Sequence, residues 1–206
     1  MTDPHSRHII VALTGASGIQ YGVRLVEALA AQPGLVLTLM MSKAAWQVAL
    51  AEVPGLPGAD PRALFSLTEE QWGRVRLESP MNMAAPAASG SSITNAMAVC
   101  PCSMKTLAAI AHGYEDNLIA RAAGCILKEG RRLVLVPRET PLHAVYLENM
   151  LALARLGARI VPAMPGFYHA PRTIADLLDF MTMKICDQLD VPLDSPHRWK
   201  GMSGKE

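Results

Sequence analysis

The residues of this chain that could do chemistry are hydroxyls and glycines at two sharp turns, a scattered set of cations, and carboxylates at the ends of predicted elements. The first turn, Thr14-Gly15-Ala16-Ser17-Gly18, follows an apolar run and precedes a helical pattern that begins near Ile19. Glycines at 15 and 18 allow positive φ and close approach of a ligand, while the N–H groups and positive dipole end of the new helix face the same point. This predicts an anion cradle, most naturally for a phosphate. Ser17 adds a hydroxyl at the cradle's mouth, able to cap the helix, bind the ligand, or both. The second turn, Pro101-Cys102-Ser103-Met104-Lys105-Thr106, sets Ser103 and Thr106 three apart, the spacing of a cap and a first-turn hydroxyl. Ser42 stands where a further helix opens. Arg121 and Lys128, seven apart, share one helical face at a distance of two turns. Arg138 and Glu139 sit together at the carboxyl end of a strand, Tyr168 follows the last strand, and Lys184 lies on the last helix. Glu52 closes a helix whose dipole its charge opposes; a lone Glu is usually a solvated surface residue, but this position invites a functional role.

Several phosphate-binding patterns are excluded. A dinucleotide fingerprint needs G-x-G-x-x-G and an acidic residue roughly 20 positions on, but the second strand runs into Met41-Ser42-Lys43 with no carboxylate. The Walker A pattern G-x-x-x-x-G-K-[ST] is absent. In the hydrolase elbow G-x-S-x-G, the second glycine stands one residue later than Gly18 does relative to Ser17. A mononucleotide fits best.

These residues must be positioned by alternating strands and helices. Strands are predicted over 8–13, 35–40, 74–77, 96–100, 132–136 and 159–163, and helices over 19–31, 43–51, 117–128, 142–156 and 174–189. Pro33-Gly34, Val53-Pro54-Gly55 and Gly157 punctuate them. Residues 54–73 read as a surface excursion with one short helix. The low-charge stretch from Pro80 to Ser92 suits a loop over a ligand or a subunit contact. No internal repeat is visible, so the fold class is α/β, a doubly wound, mostly parallel sheet of Rossmann or flavodoxin type. Ligands of such sheets bind outside the carboxyl ends of the strands, where the two turns can grip one nucleotide.

The chain of 206 residues is expected to form a single domain, 1–206, with an irregular tail from about residue 192. Half of the residues are hydrophobic and only 18% are charged, so apolar surface should be buried in homo-oligomer contacts. A net charge of +1 with no basic run excludes a nucleic-acid face. Cys100, Cys102, Cys125 and Cys186 fit neither a disulfide nor a zinc pattern and are expected to be buried thiols. With neither a signal peptide nor a membrane-length apolar stretch, a cytoplasmic protein is expected.

Taken together, Thr14-Gly15-Ala16-Ser17-Gly18, Ser89-Gly90-Ser91, Cys100-Pro101-Cys102-Ser103, Val136-Pro137-Arg138-Glu139 and Gly166-Phe167-Tyr168-His169 closely resemble the flavin prenyltransferases of the UbiX type, over nearly the whole chain. The resemblance implies reduced FMN as acceptor, dimethylallyl monophosphate as donor and no metal. It also implies a homododecamer, and prenylated FMN as a product delivered to a partner decarboxylase. It assigns FMN binding to Gly15, Ala16, Ser17, Ser42, Ser103, Met104, Lys105, Thr106 and Arg138. Donor binding falls to Ser89, Arg121, Lys128, Glu139, Tyr168 and Lys184, and catalysis to Ser17, Glu52, Lys128 and Glu139. Several members carry Arg where Lys184 stands, and some carry an aromatic residue where Met83 falls. The alternatives are an FMN-dependent decarboxylase of peptidyl cysteine and a non-catalytic FMN-binding subunit. The decarboxylase class depends on a histidine after the first helices, and none lies between His8 and His112.

Overall fold

The computed structural model describes residues 7–58, 60–199 and 201. Six strands, β1 (Arg7–Leu13), β2 (Leu35–Met41), β3 (Val75–Glu78), β4 (Ala96–Cys102), β5 (Arg132–Pro137) and β6 (Arg159–Ile160), form one sheet in the order β3-β2-β1-β4-β5-β6. Every neighbouring pair is parallel. β1, β4 and β5 read as near-continuous apolar runs because the sheet is covered on both faces.

Side chains alternate between two cores. Ile9, Val11 and Leu13 pack on one face with α1 (Ile19–Ala30), α2 (Lys43–Glu52) and α7 (Ile174–Gln188). Ile10 and Ala12 pack on the other with α4 (Met104–Ala111), α5 (Leu118–Lys128) and α6 (Ala144–Arg155). A further short α-helix, α3 (Glu69–Trp72), lies in the excursion after α2, which also drives Leu64 and Phe65 into the first core.

The observed boundaries correct the sequence reading at several places. β4 runs through Pro101 to Cys102 instead of ending at residue 100, with a register shift between Val99 and Cys102. α6 begins at Ala144, two residues later than expected. β6 is two residues long, not five: Pro162 has no N–H to offer a ladder, although Val161 and Ala163 still donate to Leu135 and Pro137 of β5. The β3-to-β4 crossover is an extended strap. Leu118 N–H donates to Pro80 O at one end of α5, Arg121 and Cys125 reach Ala88 O in the middle, and Arg131 holds Gly90 O and Ser92 O beyond its last turn. All four cysteines are free and buried, and burial pushes the Cys102 and Cys186 thiols up to about 12.

Candidate active site

From β1 the chain winds outward through β2 and β3, then returns across the sheet to β4 on the other side of β1. The helices that follow β1 and β4 therefore pack on opposite faces of the sheet and leave a crevice at the carboxyl ends of these strands, the usual ligand position in open α/β sheets. Both predicted turns border it, and a residue overlooked in the sequence ties them together. Thr14, 1% exposed, donates its hydroxyl to Pro101 O at 2.9 Å and accepts from the Ser103 N–H at 2.7 Å. Nothing in its spacing distinguishes it from an ordinary residue at a strand end.

Ser103 caps α4. Its Oγ accepts from the Thr106 N–H at 3.3 Å and donates to Thr106 Oγ1 at 3.1 Å. The N–H groups of Met104 and Lys105 belong to the first turn of α4 and have no acceptor within the helix. They offer backbone only, because the Met104 side chain is buried in the core and Lys105 Nζ is engaged with Asp116 Oδ2 at 3.4 Å.

The first turn departs from expectation. Gly18 does take positive φ, at 90°, but Gly15 does not; it is small because a Cβ there would overlap the Ala44 side chain of α2. The predicted anion cradle already holds an anion from the chain itself. Glu52 reaches across from the end of α2, and its carboxylate accepts from the Gly18 N–H at 3.0 Å and the Ile19 N–H at 2.9 Å. Its charge therefore opposes the dipole of its own helix while capping that of α1. Burial alone would raise the Glu52 pKa, but the Ser17 hydroxyl, the Ile19 and Gly18 amides and the Arg138 charge prevail and hold it below the usual carboxylate value.

Around this pair lie the other predicted FMN residues. Ser42 caps α2 by accepting from the Ala45 N–H at 3.0 Å, and its own N–H donates to Leu13 O at 3.0 Å. Arg138, leaving β5, donates Nε to Ser17 O at 3.0 Å. Glu139 beside it is half-buried, its Oε1 accepting from the Thr140 N–H at 3.1 Å.

The predicted donor residues do not join this crevice as one cluster. α5 runs back across the sheet, so Lys128 stands just before β5, near the amino ends of the strands, beside Ser89-Gly90-Ser91. Arg121 is paired with Glu115 at 2.7 Å. Lys184 lies on the opposite face, exposed on α7, where it borders a recess of about 530 Å³ with Arg159 and Gln188. Tyr168, 55% exposed, packs edge-on against Phe180 and Trp199 at 5.5 Å each. Met83 is exposed on the strap. Among the described residues no hydrogen bond or ion pair connects Lys128, Arg121, Tyr168 and Lys184; α5, which carries Arg121 and Lys128, and α7, which carries Lys184, cover opposite faces of the sheet.

A family model described as Flavoprotein matches residues 2–186. The flavin prenyltransferase UbiX of Pseudomonas aeruginosa is 47% identical over 195 residues, spanning 93% of this chain and 93% of that protein. The chain belongs to the UbiX-type flavin prenyltransferases. A dodecameric FMN-dependent UbiX-like decarboxylase from Escherichia coli O157:H7 superposes with a TM-score of 0.85 at 43% identity, covering 94% of this chain and all of that one. A UbiX crystallised with FMN and dimethylallyl pyrophosphate superposes with a TM-score of 0.84 at 42% identity, covering 96% and 100%.

For a member of this family, the donor set at the crevice fits FMN. Hydroxyls and first-turn amides at α4 suit a phosphate monoester, whereas the α1 terminus is occupied by Glu52. No helix of the described residues is long and apolar enough to cross a membrane.

Proposed function

We propose that this protein joins the dimethylallyl group of dimethylallyl monophosphate to nitrogen-5 and carbon-6 of reduced FMN, supplying prenylated FMN to a decarboxylase in the cytoplasm. The observation that carries the reading is the near-full-length identity with flavin prenyltransferases. That identity also weighs against the cysteine-decarboxylase and non-catalytic alternatives. Reduced flavin, when bound, supplies the nucleophilic atoms.

The protein's own residues do the rest. Ser103, Thr106 and the first-turn amides of α4 hold the FMN phosphate, while Ser17, Ser42 and Arg138 line the path to the ring. Lys128, Arg121, Lys184 and Tyr168 stabilise the phosphate as it departs, the cationic surround that metal-free cleavage of the carbon–oxygen bond requires. Glu139 accepts the proton released at carbon-6, with the departed phosphate as the other available base, and Glu52 exchanges protons through Ser17. Because one chain keeps Lys128 and Lys184 on opposite faces of its sheet, the donor site is completed between subunits. Exposed Val145, Leu147, Leu151 and Leu156 on and beside α6 supply apolar surface for a homo-oligomer, a dodecamer as in the Escherichia coli relative.

Anaerobic incubation with reduced FMN and dimethylallyl monophosphate, followed by mass analysis of the flavin, tests the reading. Addition of one dimethylallyl unit is expected; unmodified FMN after prolonged incubation overturns it.

A further inference from the structure

Two of the cations at the strap end of the site are matched by a carboxylate of the same chain, and a third by backbone carbonyls. Lys128 Nζ lies 2.5 Å from Glu129 Oε1, and Arg121 Nη1 lies 2.7 Å from Glu115 Oε2. Arg131 spends its two terminal nitrogens on the carbonyls of Gly90 and Ser92, each at 2.8 Å. A site that only needed to attract phosphate would leave these charges uncompensated.

The Lys128–Glu129 pair is also fixed in place. Glu129 caps the carboxyl end of α5, followed by Gly130 at φ 65°, which turns the chain sharply away. Both charged heads close over Gly90, where any Cβ would overlap Lys128 Nζ and Glu129 Oε1. The hydrogen bond and charge of Lys128, with a smaller contribution from Arg131, keep the Glu129 carboxyl below its usual range, so it is an anion at neutral pH.

We propose that Glu129 is a specificity-determining residue: its carboxylate, held against Lys128 over Gly90, sets how much negative charge the donor's leaving group can bring, and thereby favours a monophosphate over a diphosphate. The inference rests on the reading that Lys128 holds the donor phosphate. An oxygen hydrogen-bonded to Lys128 lies within roughly 5–6 Å of the Glu129 carboxylate, given ordinary contact lengths. At that range a partly screened like charge discriminates by about tenfold or more. The repulsion grows with each charge on the donor, while the attraction of Lys128 is already partly offset by its pairing with Glu129.

Purified oligomer saturated with reduced FMN would be assayed with dimethylallyl monophosphate and dimethylallyl diphosphate in wild type, Glu129→Gln, Glu129→Asp and Lys128→Ala. The wild type should prefer the monophosphate. Glu129→Gln should move the ratio of the two kcat/KM values toward the diphosphate by about tenfold or more, whereas Glu129→Asp, which keeps the charge, should stay near wild type. The ratio is taken within one preparation, so a change in folded fraction cancels. A wild type that prefers the diphosphate, or a Glu129→Gln ratio within twofold of wild type, overturns the proposal. Lys128→Ala tests the underlying reading separately: unchanged efficiency with both donors would remove Lys128 from the site whatever Glu129 does.

Discussion

At the scale of single residues, Glu52 ties α2 to the start of α1, and the proposed mechanism gives it a proton-transfer role as well. Its carboxylate caps α1 and contacts Ser17, so Glu52→Gln should slow turnover by about 10²-fold or more, the scale of a lost acid–base group. It should also cost about 1 kcal/mol of stability, as for other lost helix caps. Its folded-state pKa is lowered, so the stability it adds is present above the ordinary glutamate value and is lost as pH falls through the lowered one. Denaturant titrations should therefore show a gap between wild type and Glu52→Gln at neutral pH that narrows and closes as acidification protonates the Glu52 carboxylate of the folded protein. A gap that persists after that protonation would mean that charge plays no part in the cap. Thr14 carries a comparable structural duty between the two turns. Thr14→Val would leave the Ser103 N–H without its acceptor, with an expected loss of about 1–3 kcal/mol and weaker FMN binding, whereas Thr14→Ser should retain both. The mismatch of Glu52 with its own helix dipole was legible in the sequence. The partner of Glu52 was not, because the contact spans 34 residues and depends on how α1 and α2 pack.

Elements determine which of the two turns can take a phosphate. With the α1 terminus capped by Glu52, the proposed place of the FMN phosphate is α4, and Ser103→Ala should weaken FMN binding by about tenfold, the scale of one hydrogen bond to a charged group. Titration of the same variant with NAD should show no site; NAD retention equal to or tighter than that of FMN would contradict a mononucleotide crevice. The strand–helix alternation was legible because the sheet is parallel and buried on both faces, which writes each strand as an apolar run between turn signals. Errors arose where local and tertiary forces disagree. Proline marked an end for β4, yet pairing with β5 resumes at Cys102. The strap from Pro80 to Ser92 has no helical period, and its course along α5 is fixed by carbonyls accepting from Arg121, Cys125 and Arg131, bonds that composition does not encode.

At the scale of the whole molecule, the separation of the donor residues becomes an argument about assembly. Lys128 and Lys184 lie on opposite sides of a six-stranded sheet. No rotation of their side chains brings them together within one chain, so if both hold the donor phosphate they come from different subunits. Lys128→Ala and Lys184→Ala should each lose about one to two decades in kcat/KM for the donor, the equivalent of a charge-assisted hydrogen bond, while FMN affinity, which depends on the crevice at β1 and β4, stays unchanged. Two homogeneous variant oligomers mixed without dissociation should remain as impaired as each is alone. If instead the two variants are co-expressed so that their subunits mix at random, about a quarter of the sites between subunits receive both wild-type lysines. Activity should then rise toward about a quarter of wild type, well above either variant by itself. If co-expression gives only the average of the two variants, the two lysines act in the same chain or at unrelated places, and the site between subunits is wrong. Sequence alone supplied the charges but not this partition, because residue spacing says which side chains share a helix face and is silent on which copy of the chain stands opposite.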